Sequence, residues 1–225
     1  MAVTINGKTL MQDTWKQKLR PLYQNTPIFD AVMGRRSQYQ LAEWLKANKA
    51  TPAPHIVKER ALIEHAERYL PRILVETGTF RGDMLYFLRN RFQTLFSIEL
   101  QPEYYQRAVR RFRKYPQIRL VQGDSGERLG KVIGEIREPC LFWLDGHFSG
   151  SSTAQSVRDT PIVEELTAIA AHPVKTHVIL IDDAECFDGS HDYPTIEGVR
   201  LMVKERFPNH SFEVRDSIIR ILPPV

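Results

Sequence analysis

The chain has 225 residues, 42% of them hydrophobic, enough to bury one full core and a small accessory layer. No run approaches the roughly 18 apolar residues of a membrane-spanning helix, and the N-terminus lacks a basic region followed by an apolar stretch. The two cysteines, Cys140 and Cys186, match neither a metal-ligand spacing nor a disulfide framework, so a cytoplasmic protein with reduced thiols is expected.

The net charge of +4 is unevenly spread: residues 1–72 hold 12 Lys+Arg against 6 Asp+Glu, whereas residues 73–225 hold 19 against 21. A local basic cluster at Arg107, Arg110, Arg111, Arg113 and Lys114 has helical spacing and no accompanying aromatic pattern. It reads as a solvated helix face, and nucleic acid is not an expected partner.

In chain order, residues 1–54 hold helix-like patches, such as 39–47 with Leu41, Trp44 and Leu45 on one side, and end in the stiff connector Thr51-Pro52-Ala53-Pro54. They are read as a helical N-terminal extension or lid whose aromatic residues Trp15, Phe29, Tyr39 and Trp44 offer either a lid surface or a homodimer contact. Residues 55–225 are read as the main domain. A helix over about 55–69 is followed by alternating strand and helix signals, with strands near 72–76, 94–99, 118–122, 140–145 and 177–182. Alternation of this kind predicts a parallel sheet with right-handed crossovers. Thr160 with Pro161, and Thr195 after Pro194, are expected to start two of the helices. Residues 211–214 and 217–222 close the chain as two short strands around a tight turn at Arg215-Asp216. The fold class is therefore α/β: a Rossmann-like, seven-stranded, mostly parallel sheet with a C-terminal antiparallel hairpin.

Chemistry concentrates at the strand tips. The first strand ends in Glu76-Thr77-Gly78-Thr79-Phe80-Arg81-Gly82, where a buried strand must turn sharply into a helix. The second ends in Glu99, 21 residues after Gly78, about where a dinucleotide-type fold places the acid that binds ribose hydroxyls. A pyrophosphate, however, requires G-x-G-x-x-G, and here the pattern is E-x-G-x-x-x-G, with Thr79 and Phe80 in place of the admitting glycine. A ligand with ribose and no pyrophosphate suits the turn better. After the third strand, Asp124 and Ser125 offer an acceptor and a hydroxyl for an adenine edge, although Gly-Asp-Ser-Gly is also an ordinary turn. The fourth and fifth strands end in Asp145-Gly146-His147 and Asp182-Asp183. Three acids and a histidine at one mouth have two chemical readings, beside a structural one in which Asp182-Asp183 cap the following segment and His147 is a satisfied loop residue. One is a hard-cation site that polarises an acceptor hydroxyl. The other is a metal-free site with His147 as general base.

With these motifs the sequence resembles the class I S-adenosylmethionine (SAM) methyltransferases, over about residues 72–222. Its acidic tips are similar to those of the macrocin-type sugar O-methyltransferases. The resemblance implies a methionine pocket at Glu76, Gly78, Thr79 and Gly82, a ribose ligand in Glu99, and adenine contacts from Asp124 and Ser125. It also implies magnesium ligands at Asp145, Asp182 and Asp183, with Asp145 beside the cofactor as well. His147 departs from the acidic or aromatic neighbourhood of those relatives. The expected activity is SAM-dependent O-methylation of a sugar or other small-molecule hydroxyl, with Asp145, His147, Asp182 and Asp183 at the acceptor. Two alternatives stand beside it: an NAD(P)-dependent oxidoreductase, and a non-catalytic SAM-binding module.

Overall fold

The computed structural model describes residues 4–5, 8–9, 24–146 and 160–225. Two two-residue strands, β1 (Thr4–Ile5) and β2 (Lys8–Thr9), pair antiparallel. The helix α1 (Pro27–Lys46) begins where the Thr26 hydroxyl accepts the Phe29 N–H at 3.2 Å, and α2 (His55–Tyr69) follows Pro54. The α/β alternation then runs β3 (Ile73–Thr77), α3 (Asp83–Leu88), β4 (Thr94–Glu99), α4 (Pro102–Phe112), β5 (Ile118–Gln122), α5 (Ser125–Ile133) and β6 (Cys140–Leu144). After it come α6 (Ile162–Ala171), β7 (Val178–Ile181), α7 (Ile196–Arg206), β8 (Ser211–Arg215) and β9 (Ile218–Leu222). None of the described helices is long and apolar enough to cross a membrane.

The main sheet has seven strands in the order β5-β4-β3-β6-β7-β9-β8, with β9 antiparallel to both of its neighbours. This is the expected mostly parallel sheet with a terminal hairpin. Because successive side chains leave a strand on opposite faces, the continuous apolar runs of the central strands feed two cores. Leu74, Leu141, Trp143 and Leu180 pack under α2, α3 and α4 through Leu62, Leu85 and Phe112. Val75, Phe142, Leu144, Ile179 and Ile181 pack under α5, α6 and α7 through Leu129, Leu166 and Val199. Burial on both faces explains why these strands read as unbroken hydrophobic runs.

Several local expectations are shifted by packing. The hairpin turns at Asp216-Ser217, both at positive φ (54° and 60°), one residue later than the sequence suggested; paired positive φ values match the right-handed twist of the flanking strands. The helix α6 has Pro161 as its N-cap, and the Thr160 hydroxyl accepts the Ile162 N–H at 3.4 Å, whereas Thr195 caps α7 as expected by accepting the Gly198 N–H at 3.0 Å. On α1, Trp44 is buried against Ala53, Ile56 and Val57, but Leu45 is 54% exposed and does not share its side of the helix. In the basic helix, Arg111 is buried rather than solvated. Its guanidinium bonds the Arg81 carbonyl oxygen, Asp83 (2.8 Å) and Asn25 (3.0 Å).

Candidate active site at the strand tips

The strand order reverses between β3 and β6, and in open α/β sheets the crevice outside the carboxyl ends at such a point is where ligands bind. The turn leaving β3 is held by two glycines. Gly78 lies at φ +84°, and a Cβ there would run into the backbone carbonyl of Asp145, just beyond β6. Gly82, at φ +72°, caps α3, and a Cβ would lie 2.6 Å from the Phe112 ring. Any larger residue at either position would push the turn off its neighbours.

Beneath the turn a chain of hydroxyls ties β3 to β4. Ser97 donates to Glu76 at 2.5 Å, and its oxygen lies 2.6 Å from the Thr79 hydroxyl. Glu76 is almost fully buried. Burial pushes it well above the usual carboxylate range, the Ser97 bond pulls the other way, and Asp145 and Glu99 add to the upward push. Glu76 therefore braces the turn from below. Above it, Phe80 adopts φ +48° and donates its N–H to Glu99 Oε2 at 2.7 Å, while the Gln101 N–H meets Oε1 at 2.8 Å. Burial raises Glu99, against these two bonds. A carboxylate has about four acceptor positions, so a clamp that uses one on each oxygen still permits a vicinal diol to bind.

Asp124 is the N-cap of α5, with Oδ1 accepting the Gly126 N–H at 2.8 Å. Ser125 is buried at the first turn, and a Cβ on Gly146 would sit 3.1 Å from both its hydroxyl and that of Thr77. Gly146 thus lets the end of β6 close against the start of α5, bringing Ser125 to the same crevice as Gly78 and Asp145.

The acids beyond β6 and β7 converge. Carboxylate oxygens of Asp145, Asp182 and Asp183 all lie within 4.8 Å of one another. Asp182 is the buried centre: its N–H donates to the Leu144 carbonyl at 3.0 Å, and its Oδ1 accepts the Asp183 N–H at 2.8 Å. Asp183 sits at φ +47°, which turns its side chain back toward the group. Hard oxygen donors so arranged suit a divalent cation in chemistry. The sequence reading missed a fourth member. Lys58, in the first turn of α2, places its ammonium 2.5 Å from Asp182 Oδ2 and 2.9 Å from Asp183 Oδ1.

The four charges control one another. Burial pushes Asp145 up to about 7, with Lys58 opposing and Asp183 adding to the rise. Burial and then Asp145 hold Asp182 well above the usual carboxylate range. For Lys58 burial acts against the ammonium, but Asp182, Asp145 and Asp183 outweigh it and keep its pKa above the ordinary lysine value. On the next residue of α2, burial and then Asp83 push Glu59 up to about 7.

Of the residues singled out in the sequence, the structure brings Gly78, Thr79, Glu99, Ser125, Asp145, Asp182 and Asp183 to one end of the sheet, with Glu76 and Gly82 supporting them and Asp124 capping α5. His147 lies outside the described residues. Tyr193, past the end of β7, packs against Phe187 (5.2 Å between ring centroids).

No protein-family model matches the chain, and no curated protein matches it in sequence. Solved structures do match. The O-methyltransferase TomG of Streptomyces achromogenes, solved with SAM, is 17% identical over 74% of this chain and 80% of that chain, with a TM-score of 0.53. An O-methyltransferase from Bacillus cereus, solved with S-adenosylhomocysteine (SAH), is 14% identical over 93% and 97%, with a TM-score of 0.52. A methyltransferase from Podospora anserina, also bound to SAH, is 14% identical over 100% and 99%, with a TM-score of 0.51. At these identities the likeness is one of fold, the Rossmann-like arrangement of methyltransferases.

Proposed function

We propose that the chain is a SAM-dependent methyltransferase acting on an oxygen nucleophile of a small molecule, a saccharide hydroxyl among the candidates. The observation that carries this reading is the turn at Gly78, seated on the backbone of Asp145 where the strand order reverses, with Glu99 clamped across it and no glycine to admit a pyrophosphate. Similarity of fold to enzymes solved with SAM or SAH supports it. In this reading residues 1–54 form an extension to a catalytic domain over 55–225.

Gly78, Thr79 and Gly82, braced by Glu76, shape the methionine pocket; Glu99 accepts from the ribose diol; and Asp124 and Ser125 flank the adenine. Asp145, Asp182 and Asp183 face the acceptor. As the new carbon–oxygen bond forms, the carbon–sulfur bond breaks and sulfur keeps its electron pair, so the protein must align three atoms and remove the hydroxyl proton. A carboxylate of the acidic group takes that proton, and His147 is a second candidate base from sequence. Magnesium bound by the three aspartates would lower the hydroxyl pKa, but Lys58 stands in the way of that variant. Calorimetric titration with SAH tests the reading: one-site saturable binding is expected. Absence of SAH binding, or saturable binding of NADH in its place, overturns it.

A further inference from the structure

We propose that Lys58 is the resident cation of the acidic group, occupying the seat that a divalent metal would otherwise take and making this site metal-independent. The claim concerns the charge cluster and holds whatever cofactor the crevice binds.

Both oxygens of Asp182 are engaged, Oδ2 by the Lys58 ammonium and Oδ1 by the Asp183 N–H, and Lys58 also bonds Asp183. Magnesium demands near-octahedral ligands at roughly 2.0–2.1 Å and keeps several waters. To reach Asp182 and Asp183 it would have to share their oxygens with an ammonium a few ångströms away, where like charges repel strongly in a site screened from water. The lysine is not poised to leave. Its side chain is only 15% exposed, and its helix is anchored around it by Ile56, Val57, Ala61 and Leu62, all buried. The lysine supplies one fixed positive charge where a metal would supply two: its ammonium bridges Asp182 and Asp183, offsets one unit of their negative charge and holds their orientation toward the acceptor. It acts through the acids and is a positioning residue.

The test needs no acceptor. Binding of Mn²⁺ to the full chain is followed by the loss of its free electron paramagnetic resonance signal, for the wild type and for Lys58→Met, with SAH binding recorded separately on each. The wild type is expected to show no saturable site up to millimolar Mn²⁺. Lys58→Met, which vacates the seat and leaves three carboxylates, is expected to bind one ion at least tenfold more tightly, and the double variant Lys58→Met/Asp183→Asn to lose that gain. Saturable single-ion binding by the wild type overturns the proposal whether or not the variant folds. So does a folded Lys58→Met that binds no better than the wild type. Failure of SAH binding counts against the methyltransferase reading alone.

Discussion

A buried histidine pair between β6 and β7 gives the fold a pH-dependent stability whose size follows from the structure. His177 Nδ1 accepts the Cys140 N–H at 3.0 Å, so its proton is on Nε2, which donates to His172 Nδ1 at 2.9 Å; His172 Nε2 in turn faces the carbonyls of Ile133 and Ile136 at 3.0 and 3.2 Å. A second proton on His177 would have to sit on the nitrogen that receives the Cys140 N–H. Burial, then the proximity of His172, His210 and Lys175, lowers His177 to about 4 from 6.5. The folded pKa is depressed, so the unfolded chain binds the proton more readily. The stability is fully present above about pH 6.5 and drains away as pH falls toward 4. At 1.36 kcal/mol per pKa unit the loss amounts to about 3 kcal/mol across that window. Urea unfolding of the wild type and of His177→Gln at several pH values between 7.5 and 4 measures it. Glutamine costs some stability at neutral pH, but the gap between the two proteins should shrink by about 3 kcal/mol at the acid end. With an m-value of roughly 2–3 kcal/mol/M, that is a relative shift of about 1 M urea in the midpoints. Parallel losses in the two proteins would refute the reasoning.

Two further outcomes probe the crevice. Gly78→Ala puts an alanine at positive φ, costing about 1–2 kcal/mol, and drives its methyl into the Asp145 backbone, costing roughly 1–3 kcal/mol more; thermal unfolding should register the sum and calorimetry the loss of SAH binding, and a variant of wild-type stability would show that the turn and β6 are not in contact. Asp182→Asn should lower single-turnover methyl transfer to an accepted hydroxyl about 100-fold while SAH affinity changes less than about threefold; equal losses in both would remove Asp182 from the acceptor side.

The strands, their order of appearance and the turn at Gly78 are legible in the sequence because strands buried on both faces have unbroken apolar runs and because the tips carry acids that a core would not tolerate. Glu99 is legible by its distance from Gly78. The residues that escape are basic. Lys58 and Arg111 each lie in a charged helical segment that reads as solvated surface, and nothing local separates a buried cation from an exposed one. Yet both prolong a buried stripe. Lys58 precedes Ala61, Leu62 and His65 by three, four and seven positions, and Arg111 follows Ala108 by three. A cation in register with buried positions is a signal that it meets an acid across the core. Phe80 at positive φ is invisible for another reason: only the pull of Glu99 on its N–H and the two flanking glycines impose it.

The bond between Lys58 and Asp182 joins positions 124 residues apart. A ribosome adding roughly 5–20 residues per second delivers α2 on the order of ten seconds before β7. Until β7 arrives, the lysine has no partner from that strand, and Asp182 cannot be buried without it at acceptable cost. Consolidation of this end of the sheet therefore waits on β7, and until then the nascent chain carries the crevice unmade.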